Sequence, residues 1–212
     1  MMTLFYSPGA CSLASHIVLE ETGAAYETQP VVLAKGEQNA ESYRKVNPRG
    51  RVPALRLDDG AVLTENLAIL TYLARLKPEA GLMPADPLAE ARCLSMMAWF
   101  SNSVHPSFTH VARPSRFAED ESTHEALKAT GRKTFEAYLR EIDGLVEGRT
   151  WMQGEQFTLC DPYALVFYTW GVRIGLPVEE MGNYTAWKER MLSRPAVRKI
   201  LEREQNPLLQ AA

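Results

Sequence analysis

Thr3-Leu4-Phe5-Tyr6-Ser7-Pro8-Gly9-Ala10-Cys11-Ser12-Leu13 decides how this chain begins to fold. Thr3 to Tyr6 is a β-branched and aromatic run, which predicts a short strand. Ser7-Pro8-Gly9 ends it, because Pro fixes φ and lacks an N–H while Gly permits unusual φ. From Ser12 the pattern turns helical: Leu13, His16, Ile17 and Glu20 fall at helix spacing, and Gly23 stands at the C′ position. Cys11 is thus placed where a strand hands over to a helix. The free N–H groups and macrodipole of a helix start favour an anion, so the Cys11 thiol is expected to have a lowered pKa.

Beyond this opening, Tyr26–Val32 resumes strand character, Lys35–Asn39 is a polar loop, and residues 40–46 suit a short helix. Asn47-Pro48-Arg49-Gly50 makes a turn. Val52–Leu57 reads as a strand entered through Pro53, Asp58-Asp59-Gly60 as a hairpin turn, and Ala61–Leu63 as its return strand. Leu67, Ile69, Leu70, Tyr72, Leu73 and Leu76 then mark an apolar helix. The order β-α-β-α-β-β-α implies a mixed sheet flanked by helices over residues 1–77. Residues 78–87 hold Pro78, Pro84 and Pro87 with Gly81, the composition of a linker.

Residues 88–212 contain no strand pattern. Leu88 to about Arg113 is helical, with Pro106 expected to kink or end it locally. Ser122 to about Glu147 is a second long amphipathic helix. Thr158 and Asp161 form a capping box at N-cap and N3 before an apolar helix, Ala164–Ile174. Two helices follow at 184–193 and 196–205, and the tail after Asn206 is expected to be loose.

The bulk properties narrow the function. Hydrophobic residues make up 46% and charged residues 23%, the balance of a globular chain with a core. A net charge of −3 offers no basic footprint for nucleic acid. No apolar run reaches the ~20 residues of a membrane span, and the N-terminus lacks a secretory layout. The three cysteines, Cys11, Cys93 and Cys160, argue against a disulfide framework and for a reducing compartment, the cytoplasm. Neither Cys-x-x-Cys nor His-x-x-x-His occurs, so no metal is expected. Cys93 and Cys160 lie within apolar helix patterns and read as small buried hydrophobes.

With these residues in place, the chain resembles the cytosolic glutathione transferase family over almost its whole length. Phe5–Leu13, Asn47–Leu55 and Leu63–Leu70, followed by the Thr158–Asp161 box, look most like the bacterial beta class. The resemblance implies an α+β fold: an N-terminal thioredoxin-like, glutathione-binding domain, then an all-α domain carrying the electrophile pocket. It also implies glutathione as co-substrate, a small apolar electrophile as second substrate, and a homodimer.

The resemblance assigns roles residue by residue. Val52-Pro53 occupies the family's cis-Pro position, turning the backbone N–H and C=O of Val52 toward the cysteinyl part of glutathione. Glu65 and Asn66 open a helix whose N–H groups hold the γ-glutamyl carboxylate, with Glu65 accepting from the ammonium. Asn66 departs from the family's usual Ser or Thr. Lys35 is assigned to the glycyl carboxylate, with Arg51 and Arg49 as weaker candidates. Cys11, Ser12 and His105 are expected around the glutathione sulfur, with Tyr6 packing beneath. Pro106 replaces the beta-class lysine beside the histidine, which removes a cation; His110 and Arg113 are nearby. Trp99, Phe108 and Phe117 are candidates for an apolar wall, against a plain core role.

Three functions compete at this stage. One is conjugation of glutathione to apolar electrophiles; another is glutathione-dependent thiol–disulfide exchange through Cys11. The third is a non-enzymatic scaffold or regulator on the same fold.

Overall fold

The computed structural model describes residues 1–209. Its first half is a four-stranded mixed sheet of order β2-β1-β3-β4. β1 (Met2–Tyr6) pairs in parallel with β2 (Tyr26–Pro30) and antiparallel with β3 (Ala54–Arg56), which pairs antiparallel with β4 (Val62–Thr64). The parallel pair needs a crossover, supplied by α1 (Ser12–Glu21); the β3–β4 pair needs only the Asp58–Gly60 turn. β2 stops at Pro30, two residues before the expected end, and two single 3₁₀ turns, Leu33–Lys35 and Glu37–Asn39, replace the expected loop. A four-residue helix, α2 (Glu41–Arg44), precedes β3, and α3 (Asn66–Leu76) follows β4.

The alternation along β1 sorts its side chains. Leu4 and Tyr6 enter the main core, whereas Phe5 joins Val31, Tyr43, Val52 and Ala54 in a smaller cluster. The main core runs without a break from Leu4, Ile17 and Leu70 to Phe100, Tyr163, Phe167 and Trp187. Every residue of α1 from Ser12 to Leu19 is buried, because α1 packs against α3 and also against two helices of the second half, Cys160–Arg173 and Pro195–Arg203.

That second half is helical. α4 (Pro87–Trp99) is followed by a π-helical turn, Phe100–Val104, and by α5 (His105–Ala112). Pro106 was expected to kink this helix or end it locally, and the α-helix is indeed broken just before it: the wider π turn accommodates a residue that lacks an N–H and would crowd the preceding turn. α6 (His124–Leu145), α7 (Cys160–Arg173), α8 (Gly182–Ser193) and α9 (Pro195–Arg203) complete the layer, and Pro207–Leu209 form a last 3₁₀ turn.

α7 begins at Cys160, four residues earlier than its apolar pattern suggested. The capping geometry also differs from the expected box. Thr158 N donates to Asp161 Oδ2 at 2.8 Å, while Thr158 Oγ1 receives only the Cys160 N–H, at 3.4 Å. Asp161 is completely buried, and its other oxygen accepts from Met152 N at 2.9 Å and Trp187 Nε1 at 3.1 Å. It therefore pins a loop and α8 as well as the start of α7. Among the described residues no helix is long and apolar enough to cross a membrane, and no group of three acidic, His or Cys side chains is arranged to hold a metal.

Candidate active site

A cleft of about 600 Å³ opens between the two halves. One wall is the turn from β1 to α1, Ser7 to Cys11, together with Val32, Leu33, Gly50, Arg51 and Val52. The other wall is His105, Phe108, Thr109 and Ala112 of α5, with Arg113, Arg116, Trp170 and Arg173. Trp170 joins the walls, its indole N–H donating to the Gly9 carbonyl at 2.9 Å. Phe108 stacks on Trp170 at 4.1 Å between ring centroids, and His105 meets the same indole edge-on at 4.8 Å.

Cys11 lies at the junction of the walls, immediately before α1. Its Sγ donates to the Val52 carbonyl at 3.4 Å, across from the cis Val52–Pro53 bond. The expected lowering of its pKa is not what this environment produces. Burial pushes the thiol up to about 12; Glu65 adds to the rise, and the backbone N–H of Cys11, Arg116 and Arg51 oppose it without prevailing. The helix start is present, but loss of water outweighs it.

The turn holding Cys11 is braced from behind. Ser12 is fully buried; its hydroxyl donates to the Ser7 carbonyl at 3.2 Å and accepts the Ser7 N–H at 3.0 Å. Asn66 Nδ2 donates to the Cys11 carbonyl at 2.9 Å, and Asn66 Oδ1 accepts from Ser15 at 2.8 Å. Glu65, before α3, has φ 71° and ψ 126°, a conformation that L-residues seldom adopt and that tends to persist at functional sites. Deeper still, His16 Nδ1 and Glu204 Oε1 are 2.8 Å apart with both side chains fully buried, and Glu204 Oε2 accepts the Gly9 N–H at 3.4 Å.

Two family models match the chain: the glutathione S-transferase N-terminal domain over residues 9–76 and the corresponding C-terminal domain over residues 93–195. The chain belongs to the glutathione S-transferase family. The glutathione S-transferase GstA of Escherichia coli O157:H7 is 36% identical, over 96% of this chain and 98% of that one. A glutathione transferase homologue from Sulfitobacter, solved with bound glutathione, superposes with a TM-score of 0.92 at 34% identity, covering 96% and 98% of the two chains. The bacterial beta-class enzyme of Sphingomonas chungbukensis gives a TM-score of 0.85 at 35% identity, over 95% and 98%.

Of the residues singled out from the sequence of this glutathione S-transferase, the cleft brings together Cys11, Arg51, Val52 and His105. Pro53, the next residue, is buried. Glu65 and Asn66 stand outside the lining, and Asn66 is tied to the site through the Cys11 carbonyl. Ser12 was expected beside the reacting sulfur, but its hydroxyl turns inward to close the Ser7–Ser12 turn, so it positions Cys11. Lys35 is exposed on its 3₁₀ turn, adjoining the lining residues Leu33 and Ala34. His105 faces the cleft with Nδ1 3.0 Å from the Tyr163 hydroxyl. Burial, reinforced by Arg116 and Arg51, drives its pKa down to about 4, so the imidazole is neutral.

Among the apolar-wall candidates only Phe108 lines the cleft. Trp99 packs on Phe100 and Tyr138, and Phe117 covers His110. The residues missed were Trp170, Arg116 and Arg173. Trp170 sat inside a helix read as core, where nothing local marks an indole N–H aimed at another domain. The spacing Arg113-Pro114-Ser115-Arg116 after a helix end was the signal available for the basic wall.

Proposed function

We propose that the protein is a glutathione transferase joining the thiolate of glutathione to a small electrophile with an apolar body. The division of labour is a glutathione-binding domain at 1–77, a linker at 78–87 and a helical domain from 88 carrying the electrophile side. The observation that carries this reading is the placement of Val52 in the cleft, its backbone edge facing the start of α1 beside Cys11. Relatives of this chain whose structures hold glutathione share the fold at TM-scores of 0.92 and 0.84.

In this mechanism glutathione lies extended along Val52. Its γ-glutamyl carboxylate meets the free N–H groups at the start of α3, Glu65 accepts from its ammonium, and its glycyl carboxylate points toward Arg51 and Lys35. Its sulfur reaches the first turn of α1, where N–H groups and the charges of Arg51 and Arg116 favour the thiolate. Neutral His105 and the Phe108–Trp170 stack hold the electrophile opposite. The new C–S bond forms as the leaving group departs with its electron pair, and the thiol proton goes to water. Asn66, Ser12 and Trp170 position the turn that receives the sulfur.

Disulfide exchange through Cys11 is a second reading, favoured by the presence of this thiol in the cleft. The protein is taken to act as a homodimer in the cytoplasm, in keeping with its three free cysteines. Calorimetry with glutathione, plus turnover of a chlorodinitrobenzene and of hydroxyethyl disulfide by the wild type and by Cys11→Ala, tests these assignments. Conjugation retained with exchange abolished in the variant is expected. Absence of glutathione binding would leave only the scaffold reading.

A further inference from the structure

The wall of the cleft opposite Cys11 is basic, in a chain whose net charge is −3. Arg113 caps the C-terminus of α5, Arg116 closes the 3₁₀ turn Pro114–Arg116, and Arg173 ends α7, so the ends of three elements deliver guanidinium groups to one cavity. Arg51 faces them from the sheet side. None of the four makes an ion pair with a described residue, although exposed arginines elsewhere, such as Arg140 and Arg198, pair with Glu136 and Glu202. Among the described residues no Asp or Glu lines the cleft. Arg116 is depressed from its ordinary value by burial first and then by its like-charged neighbours Arg113 and Arg51.

Cations gathered without counter-charges in a concave, partly apolar site raise the local concentration of anions. Glutathione does not account for all of them. On the function proposed above, on which this inference rests, its γ-glutamyl carboxylate lies at α3 and its glycyl carboxylate toward Arg51 and Lys35. Arg113, Arg116 and Arg173 are left over, beside the Phe108–Trp170 stack where the second substrate sits. We propose that the second substrate is an anionic aryl or arylalkyl electrophile, its ring against Phe108 and Trp170 and its carboxylate or sulfonate held by Arg113, Arg116 and Arg173. The planar fork of Arg suits both acid groups, which accept two parallel N–H bonds. In the reaction the glutathione sulfur forms a bond to the electrophilic carbon, a halide leaves with the bonding pair, and the acid group keeps its charge throughout.

The test uses two ligands with one skeleton, S-benzylglutathione and S-(carboxybenzyl)glutathione, titrated calorimetrically into the full chain. The carboxylate is expected to bind at least about tenfold tighter at low ionic strength, with the preference shrinking in high salt because the site opens to solvent. Single Arg113→Gln, Arg116→Gln and Arg173→Gln variants should each narrow the ratio of the two dissociation constants, and Arg→Lys should restore part of it. Equal binding of the two ligands, or a preference that none of the three variants alters, overturns the anionic assignment while leaving glutathione transfer standing. Failure of S-benzylglutathione and glutathione themselves to bind overturns the parent function, and the inference falls with it.

Discussion

The Cys11 Sγ rests 3.4 Å from the carbonyl oxygen of Val52, so in the free protein the thiol donates to the same backbone edge along which the cysteinyl part of glutathione is placed. Burial pushes this thiol up to about 12. At neutral pH it is therefore between about three and four orders of magnitude poorer in thiolate than an unperturbed cysteine, whose pKa is about 8.5. Iodoacetamide should alkylate Cys11 far more slowly than free cysteine, with a rate that climbs through alkaline pH without levelling off. Cys93 and Cys160, fully buried with their sulfurs 3.4 Å apart, should label only on unfolding. A rate plateau reached near neutrality would show that the helix start, not burial, governs this thiol.

His105 makes a second pH-dependent prediction. Its pKa falls from 6.5 to about 4 on folding, so the unfolded chain binds more protons across that interval. Stability then rises with pH between those two values and is lost as pH drops through them, by at most about 3 kcal/mol. Urea unfolding of the wild type should become easier from pH 6.5 downward, and His105→Gln should flatten that part of the profile. A ring-proton titration of His105 near its ordinary value would sink the argument.

The buried His16–Glu204 pair ties α9 to α1 and, through Gly9, to the wall of the cleft. Removing one member leaves the other polar group without its partner in a fully buried site. Glu204→Ala should destabilise the fold by about 3–5 kcal/mol, read by thermal unfolding. A loss below about 1 kcal/mol would mean that water enters to replace the carboxylate.

The order of strands and helices could be read from the sequence because local signals agreed: Ser7-Pro8-Gly9 ends β1, Gly23 follows α1, and Asp58-Asp59-Gly60 turns β3 into β4. Cys11 was singled out by the strand-to-helix junction, and Val52 and His105 by the family resemblance; all three line the cleft. The failures involved partners remote in sequence. Whether Cys11 is activated depends on how much protein surrounds it, which its neighbours in the chain do not state. Ser12 offers the same hydroxyl whether it faces the cleft or Ser7, and Trp170 looks like core until Gly9 is brought beneath it. The basic wall is assembled from the ends of α5 and α7 and one 3₁₀ turn, so no continuous basic run announces it.

Two glycines of α6 should respond to alanine with opposite signs. A Cβ at Gly131 would lie 2.6 Å from the Cβ of His110 and 2.8 Å from the carbonyl oxygen of Ser107, both on α5. A backbone atom cannot be relieved by a rotamer change, so α5 and α6 would have to separate. Overpacking of this kind costs ~1–3 kcal/mol, more than the ~1 kcal/mol that alanine gains over glycine in a helix. At Gly144 nothing lies within 4 Å of the added carbon, so only the helical gain applies. Gly131→Ala should therefore lower the unfolding midpoint and Gly144→Ala raise it. Since α5 carries His105 and Phe108, Gly131→Ala should also raise the KM for the electrophile more than that for glutathione. Equal stabilisation by both substitutions would mean that α5 does not pack against Gly131 in solution.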